Sequence, residues 1–147
     1  MTTRGQQVIL VRHAHAEWPH FTGADFDRPL TPQGLADARA TAAAIRDAGH
    51  RPGLLITSPA LRTMQTTGVL AATLQLAEQS VQPVNALYNA GPDLLHAELR
   101  KAWRCAETVM LVAHNPGISE LARVLTAHAG FSALRPAQWL HVATPRQ

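Results

Sequence analysis

The chain has 147 residues, of which 46% are hydrophobic and 16% charged, and its formal net charge is +3. This length suits one domain, for which about 100–200 residues is usual, and the apolar content is sufficient for a packed core. We therefore expect residues 1–147 to form a single domain. Nucleic-acid binding requires basic stripes interleaved with aromatic side chains, and aromatic residues make up only 5% of the chain, so no nucleic-acid partner is expected.

The sequence also bears on the cellular compartment. Residues 1–7 are polar, and no apolar stretch approaches the roughly 18 residues that span a bilayer. The single cysteine, Cys105, cannot form an internal disulfide, which suits a reducing compartment, and we expect it to be a small buried residue. These features predict a cytoplasmic protein with no membrane partner.

The first half of the chain predicts two strands and two helices. Residues 8–11 are apolar and largely β-branched, which indicates a strand buried on both faces that ends at Arg12 and His13. A long irregular segment, residues 14–30, then leaves directly from His13, and we interpret it as a wall or lid of a pocket. Thr31-Pro32 predicts the start of a helix that ends near Gly49. A strand at 54–57 follows, and Ser58-Pro59 predicts a second helix start, with that helix reaching about residue 76.

The second half continues the alternation. Residues 81–87 form a weaker strand, which Pro83 places near a sheet edge, and a helix is expected from Pro92 to about residue 104. A strand over 108–113 ends at His114, and Asn115-Pro116 is expected to cap a helix that runs to about residue 128. An alternating segment, 139–143, predicts a last strand at an edge.

This alternation predicts an α/β fold, a three-layer α/β/α sandwich around a mostly parallel sheet. In such sheets the carboxyl ends of the parallel strands lie along one edge, where ligands bind. Arg12, His13, Arg62 and His114 all follow predicted strands. We therefore expect these four side chains to converge on one pocket.

Two arginines and two histidines in one pocket favour phosphoryl chemistry. Guanidinium groups supply fixed charge and planar donors that match phosphate oxygens, and Arg62 also lies near a helix start, where anions bind. A neutral imidazole nitrogen can attack phosphorus, and neighbouring arginines disfavour its protonation. His114 can donate a hydrogen bond as charge builds on the phosphoryl oxygens. Because the arginines neutralise that charge, neither metal nor cofactor is expected.

Four segments in this order resemble the histidine phosphatase superfamily, which includes the phosphoglycerate mutases. They are Val11-Arg12-His13-Ala14, with alanine where many members have glycine, then residues 28–34 (RPLTPQG), 58–66 (SPALRTMQT) and 113–117 (AHNPG). The short chain is most similar to the small single-domain phosphohistidine phosphatases, the SixA-type branch. The resemblance implies a phosphoglycerate mutase-like fold, with His13 as nucleophile, Arg12 and Arg62 binding phosphate, and His114 completing the phosphate-binding pocket.

The chain departs from this family at the proton donor. Larger relatives carry an acidic residue after the third strand, whereas the corresponding segment here contains Asn89, which cannot donate a proton to a leaving group. The residues that could substitute are Glu17, Asp25, Asp27, Asp93 and His15. A phosphorylated imidazole needs such an acid less than an alkoxide does. The departure therefore favours phosphohistidine in a protein as substrate.

Other interpretations remain open. The enzyme could be a small-molecule phosphomonoesterase of the same superfamily, or the pocket could belong to a non-catalytic phosphate-binding module, which aryl phosphate hydrolysis would distinguish. His13 and His15 could ligate a metal, as in barrel hydrolases, but a barrel needs about 200 residues or more. The remaining histidines are expected at surface or packing positions: His15, His20, His50, His96, His128 and His141. Trp18 and Phe21 either line the mouth of the pocket or pin the loop to the core.

Overall fold

A five-stranded sheet forms the centre of the protein in the computed structural model, which describes residues 5–18, 22–128 and 133–144. The strands are β1 (Gln6–Arg12), β2 (Leu54–Thr57), β3 (Val81–Pro83), β4 (Thr108–Ala113) and β5 (Trp139–Thr144). Their order across the sheet is β3-β2-β4-β1-β5. β1 to β4 run parallel, and β5 pairs with β1 in the antiparallel direction. The predicted α/β fold with a mostly parallel sheet is thus confirmed, and β5 makes the sheet mixed.

Helices cover both faces of this sheet. They are α1 (Pro32–Asp47), α2 (Leu61–Leu74), α3 (Pro92–Trp103) and α4 (Gly117–Thr126). Val8 and Leu10 of β1 pack in the cluster that contains the buried side chains of α3 and α4. Ile9 and Val11 pack in a second cluster with the buried side chains of α1 and α2. Because successive strand residues point to opposite faces, a continuous apolar run such as 8–11 is buried on both sides and produces three layers.

Local chemistry explains where several elements begin and end. The Thr31 hydroxyl accepts a hydrogen bond from the Gly34 N–H at 3.0 Å, which caps α1 as predicted. Gly49 follows this helix with a φ of 83°, a conformation that glycine adopts without steric cost. β3 ends at Pro83, since proline has no N–H for the ladder, so the strand is shorter than the predicted 81–87. The next residues, Asn85–Leu87, form a 3₁₀ turn instead.

Two expected helix starts are wrong. α2 begins at Leu61, three residues after Ser58, and the residue at its N-cap position is Ala60, which provides no side-chain cap. α4 begins at Gly117 without a side-chain cap from Asn115. The side chains of Ser58 and Asn115 bond to distant groups, namely His114 and the Leu134 carbonyl. Each also accepts a local hydrogen bond, Ser58 Oγ from the Ala60 N–H and Asn115 Oδ1 from Ser119 Oγ.

The structure bears on the two features used to predict the compartment, the single cysteine and the lack of a long apolar stretch. Cys105 is exposed, so the expectation that it is buried is wrong: it lies in the turn after α3, outside the core. None of the helices in the described ranges has the length and apolar character that a membrane crossing requires.

Gly34 joins α1 to the loop that follows β1, and a methyl group there is expected to destabilise the fold. A Cβ at Gly34 would lie 2.1 Å from the His15 carbonyl oxygen, which is backbone and cannot move aside cheaply. Gly34→Ala should lower the free energy of unfolding by at least about 1–3 kcal/mol, measured by urea denaturation. Gly68→Ala is the matched control, because a Cβ at that exposed position in α2 meets nothing within 4 Å. That control should be stabilising by about 0.5–1 kcal/mol; equal effects at the two positions would contradict the prediction.

Candidate active site

The register between β1 and β4 places two histidines side by side. Arg12 is the parallel partner of Ala113, so the next residues along the two strands, His13 and His114, emerge together. Their rings are 5.4 Å apart between centroids. Thr57 of β2 pairs with Val112, which brings Ser58 to the same edge. The pairing of three adjacent strands therefore delivers the ends of β1, β2 and β4 to one place.

His13 is buried with one ring nitrogen fixed. Its side chain is 8% exposed, and Nδ1 lies 2.7 Å from the Ala14 carbonyl oxygen. Because a carbonyl oxygen only accepts hydrogen bonds, this contact assigns the proton to Nδ1 and leaves a lone pair on Nε2. Burial, together with the charges of Arg62, Arg12 and Arg28 and against a raising effect of the Ala14 contact, lowers the pKa of His13 to about 4. The ring is therefore neutral near pH 7.

Arg12 and Arg62 reach the pocket from β1 and α2, and each is held at one end. Arg12 donates from Nη1 to the Leu134 carbonyl at 3.1 Å. Arg62, which is 3% exposed, donates from Nη1 to the Asp25 carbonyl at 2.8 Å and from Nη2 to the Asp25 carboxylate at 3.1 Å. The Nε atoms of both arginines are buried and have no hydrogen-bond partner in the described part of the chain.

His114 is held by a side chain that the sequence analysis did not single out. Its Nε2 lies 2.7 Å from Ser58 Oγ, while its Nδ1 is buried and has no partner among the described residues. Burial lowers the pKa of His114 to about 3, and the nearby charge of Arg62 and the ring of His13 add to this effect. When the Ser58 hydroxyl donates a hydrogen bond to Nε2, the neutral ring carries its own proton on Nδ1, which is then a hydrogen-bond donor.

These groups line one pocket of about 420 Å³. The residues around it are Arg12, His13, His15, Ala16, Asp25, Arg28, Arg62, Asn89, His114, Asn115 and Pro136. All four predicted site residues are among them. The segment after His13 contributes Asp25 and Arg28, so it forms a wall of the pocket as expected.

A hydrogen-bond network holds this wall. Asp25 lies in a 3₁₀ turn, Asp25–Asp27, and its carboxylate accepts from Tyr88 Oη at 2.6 Å and from Arg28 Nε at 2.9 Å. The hydrogen bond from Tyr88, together with those from the two arginines, lowers the pKa of Asp25 to about 2. The Arg28 guanidinium also lies 5.1 Å above the Trp18 ring, which is a cation–π distance. Asp25 is therefore ionised near pH 7.

Only some of the candidate proton donors lie at the pocket. Asp25 and His15 line the pocket, whereas Glu17, Asp27 and Asp93 are absent from its lining. Asn89 lines it as well, with a backbone φ of 53° that asparagine tolerates better than most residues. Because Asp25 holds no proton at neutral pH, it cannot serve as a general acid there.

The remaining aromatic residues and histidines that the sequence analysis named lie outside the pocket lining or outside the described residues. Trp18 is exposed and stacks with Arg28 without lining the pocket, and His50 stacks on His141 at 4.3 Å. His20 and Phe21 lie outside the described residues.

A larger cavity, of about 510 Å³, opens at the other end of β1 beside Gln6, Trp103 and Arg104. In the described ranges, none of the buried side-chain nitrogen or oxygen atoms that lack a partner lines it. Three lining residues of the histidine pocket carry such a nitrogen, namely Arg12, Arg62 and His114. Unpaired buried donors are costly unless a ligand satisfies them, so the smaller pocket is the candidate binding site.

Sequence reasoning missed Ser58, Asp25 and Tyr88 as members of this network. Ser58 was interpreted as a helix cap because it precedes proline, a local signal that its contact with His114 overrides. Asp25 appeared only as one of five possible acids. Tyr88 lies 63 residues from Asp25 in sequence, and no local pattern connects the two.

Comparison with known proteins agrees with the fold and the pocket. Residues 8–88, more than half of the chain, match the model of the histidine phosphatase superfamily (branch 1). An uncharacterised chloroplastic protein of Arabidopsis thaliana is 32% identical over 133 residues, which cover 85% of this chain and 61% of the relative. The chain thus spans less than two thirds of the length of that relative.

Two solved structures extend the comparison. A candidate phosphohistidine phosphatase SixA from Agrobacterium tumefaciens is 27% identical with a TM-score of 0.84, covering 95% of this chain and 92% of that one. A protein histidine phosphatase SixA in complex with tungstate has the same fold, with a TM-score of 0.82 at 21% identity over 96% of this chain and 94% of that one. The fold defines the class as proteins of phosphoglycerate mutase-like architecture. The chain belongs to the histidine phosphatase superfamily, branch 1.

The two buried neutral histidines predict a stability that depends on pH. The pKa values of His13 and His114 are lowered from 6.5 to about 4 and about 3, so the unfolded chain binds protons that the folded chain rejects. Their stabilising effect is complete above pH 6.5 and is lost as the pH falls from 6.5 toward 4. The free energy of unfolding should therefore decrease by up to about 1.4 kcal/mol per pH unit for each histidine in this window.

Urea denaturation at pH 7, 6 and 5 tests this expectation. The free energy of unfolding of the wild-type protein should fall over this range, and the double variant His13→Gln, His114→Gln should show a smaller change with pH. An unchanged slope in the double variant would contradict the assignment of both rings as neutral.

Asp25 affects stability only at lower pH. Its lowered pKa contributes stability that is present above pH 3.8 and is lost as the pH falls toward 2.

Proposed function

We propose that the protein is a metal-independent phosphatase in which His13 Nε2 attacks phosphorus and forms a covalent phosphohistidine intermediate. The single observation that carries this proposal is the convergence of Arg12, Arg62 and His114 on the pocket that His13 lines, each with a buried side-chain nitrogen that has no partner among the described residues. A phosphoryl group offers oxygen acceptors for all three donors. In this proposal Arg12 and Arg62 bind the phosphoryl group and His114 completes its coordination.

The protonation states in the pocket support this role for His13. A nucleophilic imidazole must be neutral, and burial together with the arginine charges lowers the pKa of His13 to about 4. The Ala14 carbonyl holds the ring proton on Nδ1, so the lone pair is on Nε2. In the transition state, charge on the phosphoryl oxygens is stabilised by donors that are already in position, without reorganisation of water.

We further propose phosphohistidine in a protein as the substrate. The carboxylate and the carboxamide of the pocket lining are an ionised Asp25 and Asn89, neither of which can donate a proton to a leaving group at neutral pH. A phosphorylated imidazole that carries a proton on its other nitrogen needs none. When His13 Nε2 bonds to phosphorus, the P–N bond of the substrate breaks, and its electron pair returns to the ring, which leaves as neutral imidazole.

The second step regenerates the enzyme. Water attacks phosphorus, the bond to Nε2 breaks with its electron pair returning to the His13 ring, and inorganic phosphate leaves with both protons of the water. This chemistry requires no redox or metal step. The chain is proposed to act as a single domain, residues 1–147, on phosphohistidine proteins in the cytoplasm.

Trapping the intermediate tests the nucleophile. The protein is mixed with ³²P-labelled phosphohistidine peptide or aryl phosphate, quenched rapidly, and mapped for an acid-labile, base-stable adduct on His13. His13→Asn should abolish both adduct and turnover, because the variant lacks the Nε2 lone pair that attacks phosphorus. His128→Asn, an exposed control outside the pocket lining, should retain both. Binding of inorganic phosphate without any turnover of aryl phosphate would instead support a non-catalytic module.

Removing Arg62 tests the role of the arginines. Arg62→Ala should reduce kcat by about 10²–10³, which corresponds to about 3 kcal/mol of transition-state stabilisation. Arg46→Ala is the control, because Arg46 is an exposed residue of α1 that pairs with Asp47 outside the pocket. A decrease of only a few fold in Arg62→Ala, measured with an aryl phosphate, would remove this arginine from the mechanism.

A further inference from the structure

Asp25 occupies a particular place in the pocket, at its rim. Its side chain is 43% exposed, whereas Arg62, to which it bonds, is 3% exposed and His114 is 4% exposed. The phosphate-binding nitrogens therefore lie deep, and the Asp25 carboxylate lies where the pocket opens. A group transferred to His13 in an in-line reaction leaves on the side opposite the nucleophile, which is the side toward this opening.

Asp25 is also the only carboxylate among the described residues that line the pocket. The other charged groups there are the guanidiniums of Arg12, Arg28 and Arg62. Three groups fix the position of the carboxylate: Tyr88 Oη at 2.6 Å, Arg28 Nε at 2.9 Å and Arg62 Nη2 at 3.1 Å. An anion beside a phosphate site opposes the binding of a dianion, so its presence there needs a reason beyond holding Arg62.

Resting on the proposed function, we propose that Asp25 is a specificity-determining residue that selects substrates whose leaving group is a cation, an N-phosphorylated imidazolium. Its carboxylate accepts a hydrogen bond from the N–H of the substrate ring, on the nitrogen that is not phosphorylated. This contact pairs the positive ring with a fixed negative charge while the phosphoryl group binds to the arginines. The pocket thereby matches a substrate that is negative at one end and positive at the other.

The proposal explains how the reaction proceeds without proton donation by a carboxylic acid. Asp25 transfers no proton: the ring keeps the proton that it brings, and cleavage of the P–N bond returns an electron pair that neutralises the ring. A carboxylate that favours the protonated ring raises the fraction of substrate in the form that can leave. A phosphate monoester has no such proton, and its oxygen leaving group becomes more negative beside Asp25 as the bond breaks, so the same carboxylate disfavours it.

The test compares two substrates in four forms of the full chain. The value of kcat/KM is measured at pH 7 with a phosphohistidine peptide and with phenyl phosphate for the wild type, Asp25→Asn, Asp25→Glu and Asp27→Asn. Asparagine keeps the size of Asp25 and an oxygen that can accept from Tyr88 and Arg62, but it removes the charge. Asp27 belongs to the same 3₁₀ turn, is exposed, and does not line the pocket, so it is the matched control.

Asp25→Asn should lower the ratio of the two kcat/KM values, phosphohistidine over phenyl phosphate, by about 10- to 100-fold, the effect of losing one charge-assisted hydrogen bond. Hydrolysis of phenyl phosphate should fall less than hydrolysis of the phosphohistidine peptide, because loss of the carboxylate charge also removes a repulsion of the dianion. Asp25→Glu should retain most of the preference, and Asp27→Asn should keep the wild-type ratio.

Two kinds of failure are distinguishable. Equal losses on both substrates in Asp25→Asn would show that Asp25 only holds Arg62 in place, and unchanged kcat/KM values on both would show that it contributes nothing to either reaction. Either result overturns this inference while labelling at His13 still supports the proposed function. A wild-type protein that hydrolyses neither substrate, or that is labelled at another residue, overturns the proposed function and the selection by Asp25 with it.

Discussion

The parallel pairing of β1 with β4 is the constraint on which the site depends. Arg12 opposes Ala113 in this ladder, so His13 and His114, which are separated by a hundred residues of sequence, leave the sheet as neighbours. A shift of one residue in either strand would turn its side chains to the other face and separate the rings. Residues 8–11 of β1 are fully buried between the two helical layers. The strand that forms the centre of the core therefore also positions the site.

The second constraint is electrostatic, and it shapes both the chemistry and the stability of the fold. Burial keeps both imidazoles neutral, and the charges of the neighbouring guanidiniums add to this effect. The same feature that leaves a lone pair on His13 makes the folded state reject protons, so activity and acid sensitivity have a common origin. The unpartnered nitrogens of Arg12, Arg62 and His114 carry a desolvation cost in the free protein, and binding of an anion offsets it.

Asp25 shows how a wall residue can add selectivity to such a site. A pocket of guanidiniums alone attracts any phosphate, and only a group near the leaving side can distinguish an ester from a phosphorylated imidazole. Hydrogen bonds from Tyr88 and two arginines keep Asp25 ionised, which excludes it as an acid at neutral pH and leaves it suited to pair with a cation. Two features that seemed unrelated, the asparagine at position 89 and the carboxylate at the rim, are then consistent with one substrate chemistry.

The sequence by itself determined the alternation of strands and helices, the burial of β1 and β4, and the residues at their ends, because apolar periodicity and cap residues act over a few neighbouring positions. The ends of the predicted parallel strands grouped Arg12, His13, Arg62 and His114, and the resemblance to a known family implied their roles. Local signals did not reveal the distant partners of Ser58 and Asn115, which bond to His114 and to the Leu134 carbonyl. The network of Asp25, Tyr88 and Arg62 joins three segments that are far apart in the chain, and only the folded backbone brings them within hydrogen-bond distance. Tertiary structure decided these contacts because hydrogen bonds between side chains depend on distances in space, which no pattern along the chain encodes.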